Sequence, residues 1–262
     1  MSVANDPPHT PSYAAAVTVE DFARNLASVQ ARIAAAAQRV GRAAGDVRLL
    51  PVSKTVPEDR LRNAVAAGYH QLGENKVQEA KRKHDNLSDL DVAWSVIGHL
   101  QTNKARDVAT FAAEFQALDS LRLAEALDRR LQAAGRGLNV FVQVNTSAEE
   151  SKYGLTPEEV PAFLAALPRF TALRVQGLMT LAVFSSDLDR VRACFARLRA
   201  LRDRALDENP ELVGPGELSM GMSGDYEVAV EEGATCVRVG QAIFGSRQQA
   251  YDEEHYWPSG RA

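Results

Sequence analysis

The stretch Val47-Arg48-Leu49-Leu50-Pro51-Val52-Ser53-Lys54-Thr55-Val56-Pro57-Glu58-Asp59 decides the fold. Its first six residues are mostly apolar and read as a strand. A short polar turn follows, and Pro57-Glu58-Asp59 then opens a helix. Proline costs nothing at a helix start, where its missing N–H would be unpaired anyway, and carboxylates favour the positive end of the helix dipole. Leu61 and Val65 supply the inner face, and Gly68 is the stop. The whole is one β-then-α unit.

The same unit recurs along the chain. His70–Gly73 reads as a weak strand before a helix over Asn75–Lys83. Val92–Ile97 precedes a helix near Asn103–Phe111. Glu114–Leu118 precedes a helix over Ser120–Ala134, closed by Gly135. Leu138–Val144 is strongly β-branched. After it, Thr156-Pro157-Glu158-Glu159 combines an N-cap, a proline at the first helical position and a capping-box glutamate, with Val160, Phe163, Leu164 and Leu167 following on one face. Leu173–Met179 precedes a long helix marked by Val191, Phe195, Leu198 and Leu201. Glu217–Met220 precedes a helix over Gly224–Glu232, ended by Gly233. Thr235–Val239 is the last strand, with helix from Ala242. Upstream, Thr18 with Asp21 caps an additional helix carrying Phe22, Leu26, Val29 and Ile33, its end bracketed by Gly41 and Gly45.

Regular β/α alternation implies a parallel sheet. Eight units fit a single α/β (β/α)8 TIM barrel of about 250 residues, here with an extra N-terminal helix. The barrel is expected over residues 16–250, between tails at 1–15 and 251–262. A doubly wound open sheet is the alternative, and the lack of G-x-G-x-x-G after the first strand counts against a dinucleotide site there.

Composition narrows the function. The chain has 262 residues, 45% hydrophobic and 24% charged, and Lys+Arg 30 against Asp+Glu 34 leaves a net charge of −4. That balance argues against nucleic acid as a partner. Two cysteines, Cys194 and Cys236, form no metal-ligand spacing, so no metal is expected. No apolar run reaches the roughly 20 residues of a membrane span, and residues 1–10 carry no signal-peptide pattern. A cytoplasmic protein without membrane contact is expected.

A barrel's active site lies at the C-terminal ends of its strands. Polar residues stand at nearly every such end: Ser53-Lys54-Thr55, Glu74-Asn75, Gly98-His99, Asp119-Ser120, Asn145-Thr146-Ser147, Met179-Thr180, Ser219 to Gly224, and Arg238 with Gly240-Gln241. Lys54 directly follows an apolar strand. Desolvation there would favour a neutral amine able to form a Schiff base. A lysine that simply reaches out to water is the plainer reading. The glycine-rich loops after strands seven and eight can present backbone N–H groups to a phosphate, although Ser223 alone would also serve as an N-cap. Alternation turns Arg238 into the lumen, where it needs a partner, either a carboxylate such as Glu217 or Asp119 or a ligand acceptor atom. Lysine, phosphate cradle and arginine suit pyridoxal phosphate, and they also suit a Schiff-base aldolase acting on a sugar phosphate.

Ordered segments separate these options. They are Val52-Ser53-Lys54-Thr55, Gly73-Glu74-Asn75-Lys76-Val77-Gln78-Glu79, Ile97-Gly98-His99-Leu100-Gln101-Thr102-Asn103-Lys104, Ser151-Lys152-Tyr153-Gly154-Leu155, Gly177-Leu178-Met179-Thr180, Leu218-Ser219-Met220-Gly221-Met222-Ser223 and Val237-Arg238-Val239-Gly240 with Ala242-Ile243-Phe244-Gly245. Together they resemble the pyridoxal phosphate homeostasis protein family over residues 47–247. The resemblance implies a barrel like the N-terminal domain of alanine racemase. It implies pyridoxal 5′-phosphate held by Lys54 as a Schiff base, with Ser223 and the amides of Gly240 and Gln241 at the phosphate, Arg238 facing the pyridine nitrogen and Asn75 beside the cofactor. Gln241 stands where the family often has Thr, Ser or Glu, which leaves a backbone contact there.

An arginine at the ring nitrogen disfavours its protonation and weakens the ring as an electron sink. No general base is evident opposite Lys54, and no length remains for the second domain of a racemase. The resemblance therefore implies a non-catalytic role in vitamin B6 homeostasis, with apo pyridoxal-phosphate enzymes as recipients of cofactor and a monomer as the expected state. An amino-acid racemase and a class I aldolase are the alternatives. Arg190, Arg192, Arg197, Arg199, Arg202 and Arg204 read as a solvated face paired with Asp187, Asp189 and Asp203. His9, His70, His84 and His255 read as tail or surface residues, and Lys152 has no assigned role.

Overall fold

The computed structural model describes residues 12–149 and 152–246. The elements are α1 (Val19–Arg39), β1 (Arg48–Pro51), α2 (Glu58–Ala66), β2 (Gln71–Glu74), α3 (Val77–Asn86), β3 (Ala93–Val96), α4 (Ala105–Phe111), β4 (Glu114–Leu118), α5 (Leu121–Ala133), β5 (Leu138–Gln143), α6 (Val160–Ala166), β6 (Leu173–Met179), α7 (Leu188–Glu208), β7 (Glu217–Ser219), α8 (Tyr226–Glu231), β8 (Cys236–Val239) and α9 (Gln241–Phe244). The eight strands form one parallel sheet in the order β1-β8-β7-β6-β5-β4-β3-β2. A parallel bridge between Val52 and Gly73 and a hydrogen bond from the Ser53 amide to the Gly73 carbonyl (2.9 Å) join β1 to β2. The sheet thus curls into the (β/α)8 barrel, with α1 as the additional helix.

Period-two patterning divides each strand between two environments. Leu72, Trp94, Phe115, Leu218, Val237 and Val239 are buried in the main apolar core, between the strands and the helices. The alternate positions meet inside the barrel, and that interior is polar. Arg238 donates to Ser219 Oγ (2.6 Å), Ser219 to Gln116 Oε1 (2.7 Å) and Gln116 to Glu114 Oε1 (2.6 Å). Glu114 also accepts from Ser95 (3.0 Å) and from Arg48 (2.9 Å). Buried polar groups need partners, and this row supplies them strand by strand.

α1 begins as expected. The Thr18 side chain accepts from the Asp21 amide while Asp21 accepts from the Thr18 amide. Phe22 packs edge-on against Phe244 (5.6 Å between centroids) and Tyr69 (6.2 Å). Among the described residues no helix is long and apolar enough to cross a membrane.

Two expectations are corrected. α6 starts at Val160, not at Pro157, because Pro161 lacks an N–H and fits only the first turn. Glu159 does accept the Thr156 amide (2.8 Å), as a capping-box glutamate should, but the Thr156 hydroxyl donates to the same carboxylate (3.0 Å) rather than capping a helix at Pro157. Ahead of α1, the Tyr13 amide donates to Ser246 Oγ (2.8 Å) and the Ser246 amide to the Tyr13 carbonyl (2.9 Å). On α7, two of the arginines find their partners at the end of α8 and the residue after it. Arg192 meets Glu231 (2.5 Å) and Glu232 (2.8 Å), and Arg199 meets Glu232 (2.9 Å). Asp187 caps the helix instead, while Arg202 does pair with Asp203 (2.6 Å). His9 and His255 lie outside the described residues.

At Gly177 a Cβ would collide with the backbone carbonyl of Glu217 on the neighbouring strand. Gly177→Ala is therefore expected to cost about 3 kcal/mol, because backbone rather than a flexible side chain must move. Chemical denaturation measures this.

Candidate active site

β1 ends at Pro51, and Lys54 continues the alternation of the interior positions Arg48, Leu50 and Val52. Its side chain is buried, with the residue 6% exposed. Ser53, one residue earlier, turns the other way and donates to Glu74 Oε1 (2.6 Å). The Ser53 carbonyl accepts the Val56 amide (3.0 Å), so Lys54 and Thr55 are the two central residues of a tight turn. Thr55 takes φ +65° there.

A lysine not singled out from the sequence grips this turn. Lys83 on α3 is fully buried, and its Nζ donates to the Ser53 carbonyl (2.8 Å), Glu74 Oε1 (2.7 Å) and Glu79 Oε1 (2.7 Å). Glu79 Oε1 also accepts the Thr55 amide (2.8 Å). Burial pushes the Glu74 carboxyl above the usual carboxylate range, outweighing the pull of Lys83. At Glu79 burial is outweighed by the hydrogen bond and charge of Lys83, and its pKa is held low.

The two glycine-rich loops meet. The Gly240 amide donates to Ser223 Oγ (3.2 Å), and the Arg238 amide donates to the Gly221 carbonyl (2.9 Å). A Cβ at Gly240 would sit 3.1 Å from the Val52 carbonyl, so glycine lets this loop lie against the end of β1, two residues from Lys54. Gln241 follows as the first residue of α9. Asn75 directly follows β2, half-buried, and its side-chain amide makes no hydrogen bond among the described residues.

Arg238 corrects one expectation. Neither Glu217 nor Asp119 meets it. Its guanidinium donates to Ser219 Oγ (2.6 Å) and to the Thr180 carbonyl (2.8 Å). Glu217 lies at the level of Arg48 (3.6 Å), and Asp119 lies 3.6 Å from His99. His99 in turn stacks on Tyr153, with centroids 3.8 Å apart. Lys152 pairs with Glu149 and donates to the Ala182 carbonyl (3.0 Å), tying the loop after β5 to the loop after β6.

A buried lysine, a serine–glycine junction and a lumenal arginine thus converge on the end of the barrel where β1, β7 and β8 finish. Residues 25–248 match the family model described as alanine racemase, N-terminal domain. A pyridoxal phosphate homeostasis protein of Pseudomonas aeruginosa is 44% identical over 226 residues, 86% of this chain and 96% of that protein. The chain belongs to the pyridoxal phosphate homeostasis protein family. Within reach of that family stands the solved structure of PipY from Synechococcus elongatus with PLP bound. It is 36% identical, has a TM-score of 0.75, and the match covers 86% of this chain and all of PipY. Alanine racemase of Corynebacterium glutamicum shares the fold at 14% identity, with a TM-score of 0.67 over 90% of this chain and 64% of the racemase.

One carboxylate beside the Ser223 loop carries a pH signature. Asp225 accepts the Met222 amide (2.5 Å), and burial raises its pKa to about 6 against the pull of that bond and of Arg238. A carboxyl raised on folding makes the native state bind the extra proton between its unfolded and folded pKa values. Stability should therefore fall as pH rises from about 4 to about 6. Asp225→Asn keeps an acceptor for Met222, and it is expected to flatten that slope by at most about 3 kcal/mol, the worth of the full shift. Denaturant titrations across this pH range read the change.

Proposed function

We propose that this protein holds pyridoxal 5′-phosphate as a Schiff base on Lys54 and serves vitamin B6 homeostasis by keeping and supplying the cofactor. The observation that carries the reading is the junction of Ser223 with Gly240 against the end of β1, close in sequence and space to a buried Lys54. The residues fit the group. The Ser223 hydroxyl accepts the Gly240 amide, and its own proton is spent on no described residue, which leaves a donor for a phosphate oxygen. The Gly240 and Gln241 backbone lies beside it. The Asn75 amide, without a partner among the described residues, stands ready for a polar ligand edge. When bound, the cofactor contributes an aldehyde carbon and an aromatic ring that can take up electrons.

The chain's own groups define what that ring can do. Arg238 is held in place by the Ser219 hydroxyl and the Thr180 carbonyl, and Ser219 is fixed by Gln116. A guanidinium set against the pyridine nitrogen leaves no acceptor there for a ring proton, since arginine only donates. That supports a holding and delivering role rather than turnover, with apo pyridoxal-phosphate enzymes as recipients. A cytoplasmic monomer is the form we infer.

The visible spectrum of the purified protein tests the reading. A yellow band present on isolation, or appearing with added pyridoxal phosphate, is the expected result. A colourless protein that ignores the cofactor overturns it. Abundant racemisation of alanine or serine would overturn the non-catalytic part alone.

A further inference from the structure

The turn that carries Lys54 is strained and held from outside the barrel interior. Thr55 is β-branched, yet it sits at φ +65°, at a turn position that ordinarily takes Gly or Asn. Residues in such conformations persist only where the surroundings over-determine them, and they gather at functional sites. Here the surroundings are one ammonium group and two carboxylates. Lys83 takes the Ser53 carbonyl, Glu74 takes the Ser53 hydroxyl and Glu79 takes the Thr55 amide. Every polar group gripped belongs to a residue flanking Lys54. The cluster is not optimised for stability alone, because Glu74 Oε2 is buried without a hydrogen-bond partner among the described residues.

We propose that Lys83, acting through Glu74 and Glu79, is the positioning residue for Lys54, and that it sets how fast and how tightly Lys54 forms its Schiff base. The inference rests on the cofactor reading above. In the step concerned, the Lys54 nitrogen lone pair attacks the aldehyde carbon, a C=N bond forms, and the carbonyl oxygen leaves as water. No oxidant or reductant is involved. The cluster touches none of the reacting atoms. It fixes the backbone from which the amine projects, and displacements of about 1 Å at a reacting group can cost about a hundredfold in rate.

Two variants test this in the full chain. Glu74→Gln with Lys83→Met removes the ammonium together with the fully buried carboxyl, so the one charge left without its partner is that of the partly exposed Glu79. Thr55→Gly removes the strain and adds freedom beside Lys54 without touching the cluster. Pyridoxal phosphate is the probe. The rate of appearance of the visible band is followed, and borohydride trapping with peptide mass measures occupancy at Lys54. Both variants are expected to slow band formation at least about tenfold, while Thr55→Gly melts no lower than wild type. A double variant that fails to fold leaves Thr55→Gly to decide. Wild-type rate and occupancy in the folded variants overturn the positioning role. A wild type that takes up no pyridoxal phosphate overturns the cofactor reading instead.

Discussion

Lys54→Ala is expected to abolish the visible band and the borohydride-stable adduct, leaving a protein that binds pyridoxal phosphate only through its phosphate end. No other lysine should take over. Lys83 is fully buried with three acceptors on its Nζ, and Lys152 is occupied by Glu149 and the Ala182 carbonyl. Affinity should fall at least about a hundredfold, roughly 3 kcal/mol. Folding should survive, since only the end of one turn is truncated, and a shift in Tm of a few degrees corresponds to about 1 kcal/mol in a chain of this size. Equilibrium titration with peptide mass after reduction makes the measurement. An adduct of undiminished yield on another lysine would remove Lys54 from the assignment.

The largest effect on stability is expected from Lys83→Met alone. The substitution keeps the length of the side chain but leaves Glu74 and Glu79 facing each other without their cation. Breaking a buried pair in this way costs about 3–5 kcal/mol, a fall in Tm of roughly 10 °C or more. Adding Glu74→Gln should recover part of the loss, because the fully buried carboxyl goes with it and only the partly exposed Glu79 stays unpaired. The deficit should also depend on pH. Glu74 already sits above the usual carboxylate range through burial, and losing Lys83 raises it further. The folded variant then binds a proton that the unfolded chain releases above about pH 4.3. Its stability relative to wild type should therefore improve as pH falls from 7 toward 5. A Tm unchanged in the single variant would show that the cluster contributes nothing to folding.

The barrel was legible because each strand–helix junction carries its own punctuation, as in Pro57 after Lys54, Ser120 before α5 and Gly233 after α8. The places of Lys54 at the end of β1 and of Arg238 in β8 were legible for the same reason, since polar side chains at the ends of apolar strands have few other uses. Lys83 was not. It stands three residues after Ala80 and four before Leu87, on a stripe whose other members are buried. That spacing was the available signal, and the cost of burying an ammonium argued against using it. Burial becomes tolerable only because β1, β2 and α3 bring three acceptors together, and no local pattern announces that meeting. The partners of Arg238 were missed through stagger. Ser219 pairs in register with Cys236, so Glu217 falls well below the arginine. Thr156 misled because Pro157 and Pro161 both qualify as helix starts, and only packing chooses between them.

The row from Arg238 through Ser219 and Gln116 to Glu114 and Arg48 has a thermal consequence. An interior of oil-like side chains exposes apolar surface on unfolding and raises the heat capacity sharply, whereas exposed polar groups lower it. With part of its centre given to amides, hydroxyls and charges, this protein should unfold with a smaller heat-capacity increment than a barrel of equal size filled with leucine and valine. Its stability would then vary gently with temperature.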